Sequence, residues 1–281
     1  MALGQNERRS KIRERETATL RVLRARHAEK FWLAERILDF GVQLVDGQRI
    51  QHSSGDVLTG RVLISLYVKM LAIFWAIVAL AERGLPASSL MRELVEALIS
   101  LMYIAKEDSV ARAELYRDYL PIRHLKDLNR RLNDPDSRDT VTPESQQAVE
   151  AVVAGVVARR GKDSVGQMKK WQTWAGSFNL ETMARRAGLP GTIYNLPYSV
   201  ESRAVHSLDA ADYLTIDENE ILQAQMPDRL EQHLIPACMT LLVAMDTIRT
   251  QFGLTGEEQL KSLLAEVERL NEERRQKRED A

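Results

Sequence analysis

The sequence predicts an all-α protein, a bundle of about eight to ten helices. Two patterns support this prediction: apolar residues recur at three- and four-residue spacing, and the alternation typical of strands is almost absent. Size is the third argument, since 281 residues that are 44% hydrophobic and 28% charged suffice to bury a sizeable core. We therefore expect a folded helical chain rather than a disordered or fibrous one.

The composition excludes several classes of protein. Lys and Arg number 39 against 40 Asp and Glu, so no overall field favours nucleic acid or an anionic membrane. A single cysteine, Cys238, excludes an intrachain disulfide framework and any cysteine-cluster metal site, and it suits a reducing cytoplasm. Glycine-rich phosphate loops are missing from the sequence. We expect a cytoplasmic protein with no metal and no cofactor.

Residues 1–45 are predicted to form a basic N-terminal arm, helical from about residue 7. Residues 1–30 carry nine Lys and Arg against four Glu. The second half of this helix has a stripe directed at the core: Phe31, Ala34, Ile37, Leu38 and Val42. The basic helix 8–30 is either a solvated face or a contact for nucleic acid, through phosphates, without any element that reads sequence.

Residues 56–252 are predicted to form the helical core of the bundle. Within them, residues 62–81 have the length and apolarity of a membrane span, although Lys69 lies near the middle. A helix that is apolar on all sides is also typical of the centre of a soluble bundle. The second reading is favoured because many amphipathic helices follow, and a membrane anchor over 62–81 remains an alternative.

Capping residues predict where several helices begin. Asp108 precedes a helix from Ser109, Thr142 precedes Pro143 and Glu144, and Asn179 precedes a helix over Leu180–Ala187. Pro197 precedes a predicted helix over Tyr198–Ala211.

Prolines, glycines and polar runs predict where helices end. We expect Pro121 to break or kink its helix after Tyr119, and Pro236 to bend the helix over Leu230–Phe252. Residues 133–141 read as an exposed polar linker. Gly161–Gly166 is expected to interrupt the chain, and Trp171 and Trp174 to lie in a short helical piece.

Residues 255–281 are predicted to form a C-terminal amphipathic helix and a charged tail. Thr255 and Glu258 have the spacing of a capping box. Its apolar seam consists of Leu260, Leu263, Val267 and Leu270. This seam either docks on the body or joins two copies in a short coiled coil, so a homo-oligomer through this helix is possible.

Two motifs resemble a bacterial family of all-helical proteins of unknown function. The first is a helix that ends in glycine, followed by a helix with Arg92 and Glu96 four residues apart. The second is Pro197-Tyr-Ser-Val-Glu-Ser-Arg-Ala-Val-His206, where Tyr198 and Ser202 precede His206. The resemblance covers about residues 58–212. It implies a helical fold and a bacterial source, and it implies no activity.

Our leading hypothesis is a binding or interaction protein for an unknown protein or a small polar ligand. Polar residues interrupt the apolar stripes of two helices, and these helices would form a small pocket if they are adjacent. Glu96 would accept a proton and Arg92 would clamp an anion. The ligand-binding residues are then Arg92, Glu96, Tyr103, Tyr198, Ser202 and His206. The alternative is a purely structural network, in which Arg92 and Glu96 fix how helices meet.

A metal-independent ribonuclease or toxin of a defence system is the alternative from another class. His206 or His124 would then be the acid or base, with an Arg stabilising the phosphate charge. The Arg-to-His spacing of helical nucleases occurs at Arg117 and Arg21, about as often as chance predicts. Catalytic residues therefore stay unassigned, and whether the chain is an enzyme stays open.

Trp171, Trp174 and Phe178, beside Lys169 and Lys170, have two readings. They resemble a stacking surface for single-stranded nucleic acid. Their three- and four-residue spacing is equally typical of a segment docked on the core.

Overall fold

The computed structural model of the chain describes residues 22, 24–46, 52, 53, 55–83, 85, 87–191, 214–216, 222–224 and 230–279. These residues contain nine α-helices: α1 (Ala28–Gln43), α2 (Val57–Glu82), α3 (Ser88–Lys106), α4 (Ser109–Asn133), α5 (Pro143–Arg160), α6 (Lys162–Met168), α7 (Leu180–Ala187), α8 (Leu230–Phe252) and α9 (Glu257–Glu279). A 3-10 turn spans Arg138–Thr140. The prediction of an all-α multi-helix bundle is confirmed.

Two short strands are the one addition to this helical architecture within the described residues. Strand β1 (Leu214–Ile216) pairs antiparallel with β2 (Leu222–Ala224), and Thr215 lies opposite Gln223. Three residues per strand bury little surface, so the pair does not change the fold class.

Helices α2, α3 and α8 form the centre of the bundle and pack against one another. Helix α4 packs on α2, α7 packs on α3, and α1 and α9 cover α8. Helices α5 and α6 pack on the outer side of α4. The central apolar side chains are completely buried, among them Leu63, Met70, Phe74, Leu94, Leu98, Leu241 and Met245. Each such side chain contributes about 1.5–3 kcal/mol by leaving water.

The predicted helix starts agree with the structure where a side chain caps the helix. The Thr142 hydroxyl oxygen accepts a hydrogen bond from the Ser145 N–H at 3.2 Å, and α5 begins at Pro143. Asn179 Oδ1 accepts from the Thr182 N–H at 2.9 Å, and α7 spans the predicted residues. Helix α4 begins at Ser109 as predicted, although Asp108 makes no side-chain cap there.

The predicted helix ends are less accurate. Of the two outcomes predicted at Pro121, a break or a kink, the break is wrong, because α4 continues through Pro121 to Asn133. A proline removes one backbone hydrogen bond, and the buried Tyr119 and Ile122 on either side of it hold both halves of the helix against the bundle. The predicted break over Gly161–Gly166 is confined to Gly161, because helix α6 follows at once.

Trp171 lies in irregular backbone and Trp174 in a turn, and neither lies in the predicted helical piece. The Thr173 hydroxyl donates to the Phe178 carbonyl oxygen at 2.6 Å and accepts from the Ala175 N–H at 3.3 Å. Such side-chain hydrogen bonds compete with those of a helix. The two tryptophans are thereby held on a tight turn between α6 and α7.

The N-terminal helix is interrupted at His27, so a single unbroken helix over residues 7–45 is wrong. Residues 22 and 24–26 are helical, and the backbone at His27 leaves the helical region with φ −117° and ψ 26°. Before this turn, Arg24 pairs with Glu35 and Glu82. Residues 1–21, which carry most of the predicted basic arm, lie outside the described residues.

Most of the predicted stripe on α1 is buried, but Val42 is 44% exposed. Its neighbour Gly41 faces the core instead, and a Cβ there would lie 2.5 Å from Met245 Cε and 2.8 Å from Leu71 Cδ2. Successive residues of a helix point about 100° apart, so burying Gly41 turns Val42 outward.

The predicted apolar seam of α9 is buried within the chain, against α8 and α1. Arg36 of α1 donates two hydrogen bonds to Glu266 of α9, at 2.8 and 2.7 Å. The helix begins at Glu257, so Gly256 and not Thr255 directly precedes it. Docking on the body therefore accounts for the seam, and oligomerisation stays a prediction.

Helix α2 is the one described helix whose length and hydropathy match a membrane span, with a mean hydropathy of 2.3 over its most apolar window. Of that window, 56% is buried inside the protein, and Asp56 caps the helix by accepting from the Thr59 N–H at 2.6 Å. The other side carries Trp75 and Val68, which are 63% and 49% exposed. Helix α2 is thus buried in the bundle on one face, as predicted for a central helix, and exposed on the other.

Candidate functional site

A cleft of about 680 Å³ opens between α3 and α4 and is closed on one side by the Trp171–Trp174 turn. We call it the α3–α4 cleft. Glu93 and Glu96 of α3 form one wall. Arg123, Lys126 and Arg130, at spacings of three and four residues, bring three cations to one face of α4 on the opposite wall. Its volume lies in the range of small-molecule sites, about 300–1,000 Å³.

The aromatic part of the cleft consists of Tyr116, Tyr119, Trp171 and Trp174. The Trp174 ring meets Tyr116 edge to face with ring centroids 5.2 Å apart, and its Nε1 donates to Ser100 Oγ at 3.2 Å. Tyr119 and Trp171 are nearly parallel, with centroids 6.4 Å apart and an angle of 22° between the rings.

Lys126 ties α4 to the tryptophan turn. Its Nζ donates to the Trp171 carbonyl oxygen at 2.7 Å, and the Tyr119 hydroxyl donates to the same oxygen at 3.1 Å. The ammonium also lies 5.2 Å from the centroid of the Tyr119 ring. The turn that closes the cleft is thus held by two donors from one helix, 45 and 52 residues away in sequence.

In the part of the chain that the structure describes, some cations in and beside the cleft form ion pairs with carboxylates, and others do not. Lys69 Nζ lies 2.7 Å from Glu93, Arg92 Nε lies 3.1 Å from Glu96, and Arg130 Nη1 lies 3.6 Å from Asp127. Among the residues that the structure describes, neither Arg123 nor Lys126 has an ion-pair partner. Burial raises the pKa of Tyr116, and the positive charge of Arg123 nearby opposes that rise. Within the described residues, two cations of the cleft, Arg123 and Lys126, therefore lack a carboxylate partner.

Three of the residues predicted for a polar pocket are described, all of them on α3, and Glu96 is the one of these three that lines the cleft. Arg92, one helical turn earlier, donates a hydrogen bond to the Glu96 carboxylate, as the four-residue spacing predicts. Tyr103 lies deeper, with its ring 5.6 Å from that of Trp174 and the Arg112 guanidinium 4.0 Å from its centroid. Tyr103 therefore supports a cleft residue instead of lining the cleft.

Tyr198, Ser202 and His206 lie outside the described residues, so their proximity to Glu96 stays a prediction. His124 is exposed on α4, directly after Arg123, and it does not line the cleft. The described residues contain no group of three or more His, Cys, Asp or Glu that would hold a metal ion.

Comparison with known proteins gives one match. A family of unknown function (DUF5677) matches residues 60–221, more than half of the chain. The chain belongs to this family. No curated protein and no solved structure matches it. Every residue that lines the cleft lies within the DUF5677 match, whereas α1, α8 and α9 lie outside it.

Two features of this DUF5677 protein are not among those predicted from its sequence. One is the cationic face of α4. The sequence does contain a signal for it, because Arg123, Lys126 and Arg130 are spaced three and four residues apart. The other is Asp118, a completely buried carboxylate on α4 that accepts hydrogen bonds from Arg117, Arg159 and Arg160 at 2.8–3.1 Å.

Asp118 joins α4 to α5 and is separate from the cleft. Burial alone would raise its pKa, but the hydrogen bonds from Arg117, Arg160 and Arg159 lower the pKa to about 2. Arg117 is therefore one of the three donors to Asp118. A buried carboxylate with three guanidinium donors is a structural clamp.

Proposed function

We propose that this chain is a binding protein that takes a small anionic ligand in the α3–α4 cleft. The observation that carries the proposal is the charge of Arg123, which faces the cleft without an acidic partner in the described part of the chain, while three neighbouring cations have one. Guanidinium groups bind phosphate and carboxylate oxygens in a bidentate manner.

The predicted pocket is kept in this proposal with altered roles. Glu96 lines the wall of the cleft, and Arg92 neutralises its charge. We therefore assign anion binding to Arg123 and Lys126 instead of Arg92. Lys126 has a second task, because its ammonium also holds the Trp171 carbonyl. Arg123 makes no hydrogen bond within the described residues and is the better residue to test.

The test is calorimetric titration of the purified chain with pyrophosphate. We expect saturable binding by the wild type and at least about tenfold weaker binding by Arg123→Gln, since one charge-assisted contact contributes about 1.5–3 kcal/mol. Arg185→Gln is the matched control, because Arg185 is exposed on α7 and does not line the cleft. No binding by the wild type, or equal binding by Arg123→Gln, would overturn the proposal.

The ribonuclease hypothesis is distinguished by a separate measurement. His124→Ala and His206→Ala are compared with the wild type for cleavage of a labelled RNA and for growth on expression. Cleavage by the wild type that either variant loses would favour the nuclease. Pyrophosphate binding without any cleavage would favour the binding protein.

A further inference from the structure

We infer that the ligand of the α3–α4 cleft is a mononucleotide, a planar base joined through a ribose to a phosphate. This inference rests on the proposed function, because it names the chemical class of the anion. Three properties of the cleft support it: the number of cations without a partner, the aromatic lining and the carboxylates on the opposite wall.

The cations indicate a phosphate rather than a carboxylate. Arg123 and Lys126 both lack an acidic partner among the described residues, so the cleft has two positive charges to neutralise. A phosphate monoester carries about −1.5 to −2 at neutral pH, whereas a carboxylate carries only one charge. A phosphate therefore matches both cations at once.

The aromatic lining indicates a planar ring in the same ligand. Tyr116, Tyr119, Trp171 and Trp174 all border the cleft, and of these Tyr116 and Trp171 are partly exposed. Trp171 lies next to one of the α4 cations, since its carbonyl oxygen accepts a hydrogen bond from Lys126 at 2.7 Å. Bases stack on such side chains whatever their sequence, because every base has a π-face.

The acidic wall complements the edge of a base. Carboxylates accept hydrogen bonds only, and the amino groups of adenine, guanine and cytosine are donors. Glu93 and Glu96 retain 45% and 38% of their side-chain exposure despite their ion pairs, so each has oxygen surface left to accept.

The same wall argues against a nucleic-acid strand. Four cations, Lys69, Arg123, Lys126 and Arg130, are opposed by the three carboxylates of Glu93, Glu96 and Asp127. Grooves that follow a nucleic-acid backbone are strongly basic, because each nucleotide adds a phosphate. Ion pairs engage the three carboxylates, so the described residues of the cleft leave only the charges of Arg123 and Lys126, which suit one phosphate group and not a chain of them.

The inference is tested with adenosine monophosphate, ribose 5-phosphate and adenosine as probes of the full chain. We expect the mononucleotide to bind at least tenfold more tightly than either fragment. Trp171→Leu is expected to remove this advantage and Trp75→Leu to keep it, because Trp75 is exposed on α2 away from the cleft. Equal binding of adenosine monophosphate and ribose 5-phosphate overturns the inference and leaves anion binding intact. Binding of none of the three probes and no binding of pyrophosphate overturns both.

Two further measurements keep the result unambiguous. Saturation-transfer NMR on the wild type does not depend on whether Trp171→Leu folds, and it should show the base protons of adenosine monophosphate nearer to the protein than the ribose protons. The reverse order contradicts base stacking. A hexanucleotide of single-stranded RNA that binds more than tenfold more tightly than the mononucleotide shows a strand site and also overturns the inference.

Discussion

The hydroxyl of Tyr67 donates a hydrogen bond of 2.9 Å to the backbone carbonyl oxygen of Gly41. This contact joins the last turn of α1 to the middle of α2. The Val45 N–H, which would bond to the Gly41 carbonyl in a continuing helix, bonds to Val42 instead. Tyr67 thus satisfies a buried carbonyl that the end of the helix leaves open. Burial raises the pKa of Tyr67, so the phenol stays a neutral donor.

Replacing Tyr67 with Phe tests this capping contact. The ring still fills the same space, and the Gly41 carbonyl loses its donor in a region that water does not reach. We expect the free energy of unfolding to fall by about 1–3 kcal/mol, measured by urea denaturation. Tyr116→Phe is a control at a tyrosine without this capping role. A loss no greater than that of Tyr116→Phe would show that the hydrogen bond to the Gly41 carbonyl adds nothing to stability.

The loop before α9 depends on a glycine at position 256. Gly256 has a φ of +106°, and a Cβ there would lie 3.0 Å from two atoms of the Phe40 ring. Gly256→Ala therefore combines backbone strain with a clash against a buried ring. Gly253→Ala is the matched control, because Gly253 has a φ of +62° and nothing within 4 Å. We expect Gly256→Ala to lower the free energy of unfolding by at least about 1 kcal/mol more than Gly253→Ala does. Equal effects would contradict the contact with Phe40.

Local interactions explain most of what the sequence predicts correctly. Asn179 and Thr142 cap the helices that follow them, because a cap and its helix are three residues apart and no distant partner is involved. The pairing of Arg92 with Glu96 follows from one helical turn in the same way.

The errors lie where distant residues override a local preference. Pro121 would end an isolated helix, yet the burial of Tyr119 and Ile122 holds α4 together. Trp171 and Trp174 have helical spacing, but the hydrogen bonds of Thr173 favour a turn and Lys126 fixes it from α4.

The cleft itself could be predicted only in part. The sequence predicts that Glu96 lines a pocket, because it interrupts the apolar stripe of its helix. This prediction requires the pattern of one helix alone. Arg123 belongs to the same pocket because α4 and α3 converge, and no spacing along the chain reports how two helices meet. The three predicted residues Tyr198, Ser202 and His206 lie outside the described part, so their place relative to Glu96 stays a prediction.

Cys238 is completely buried in α8, and burial raises the pKa of its thiol. Thiolates react with alkylating reagents and thiols do not, so the native protein should be nearly inert. We expect iodoacetamide at pH 8 to modify the folded chain on the order of 100-fold more slowly than the urea-unfolded chain. Mass spectrometry measures both rates on the one cysteine. Comparable rates would show that α8 opens readily.

The clamp at Asp118 makes stability depend on pH in the acid range. The pKa of Asp118 is about 2 in the folded chain and about 3.8 when unfolded, so the folded state holds the charged form more tightly. Its contribution is fully present above about pH 5, and it is lost as the pH falls through 4 towards 2. The difference between these two pKa values corresponds to about 2–3 kcal/mol.

Asp118→Asn removes the charge and leaves Arg117, Arg159 and Arg160 close together. We expect the free energy of unfolding at pH 7 to fall by about 2–4 kcal/mol, because three guanidinium groups lose their shared negative charge and one of the two acceptor oxygens becomes an amide donor. The gap between wild type and variant should narrow as the pH is lowered from 5 to about 2, since acid protonates the wild-type carboxylate as well. Asp139→Asn, at an exposed position of the 3-10 turn, is the control and should follow the wild type at every pH. A gap between wild type and Asp118→Asn that stays constant over this range would show that Asp118 stabilises α4 and α5 by shape and not by charge.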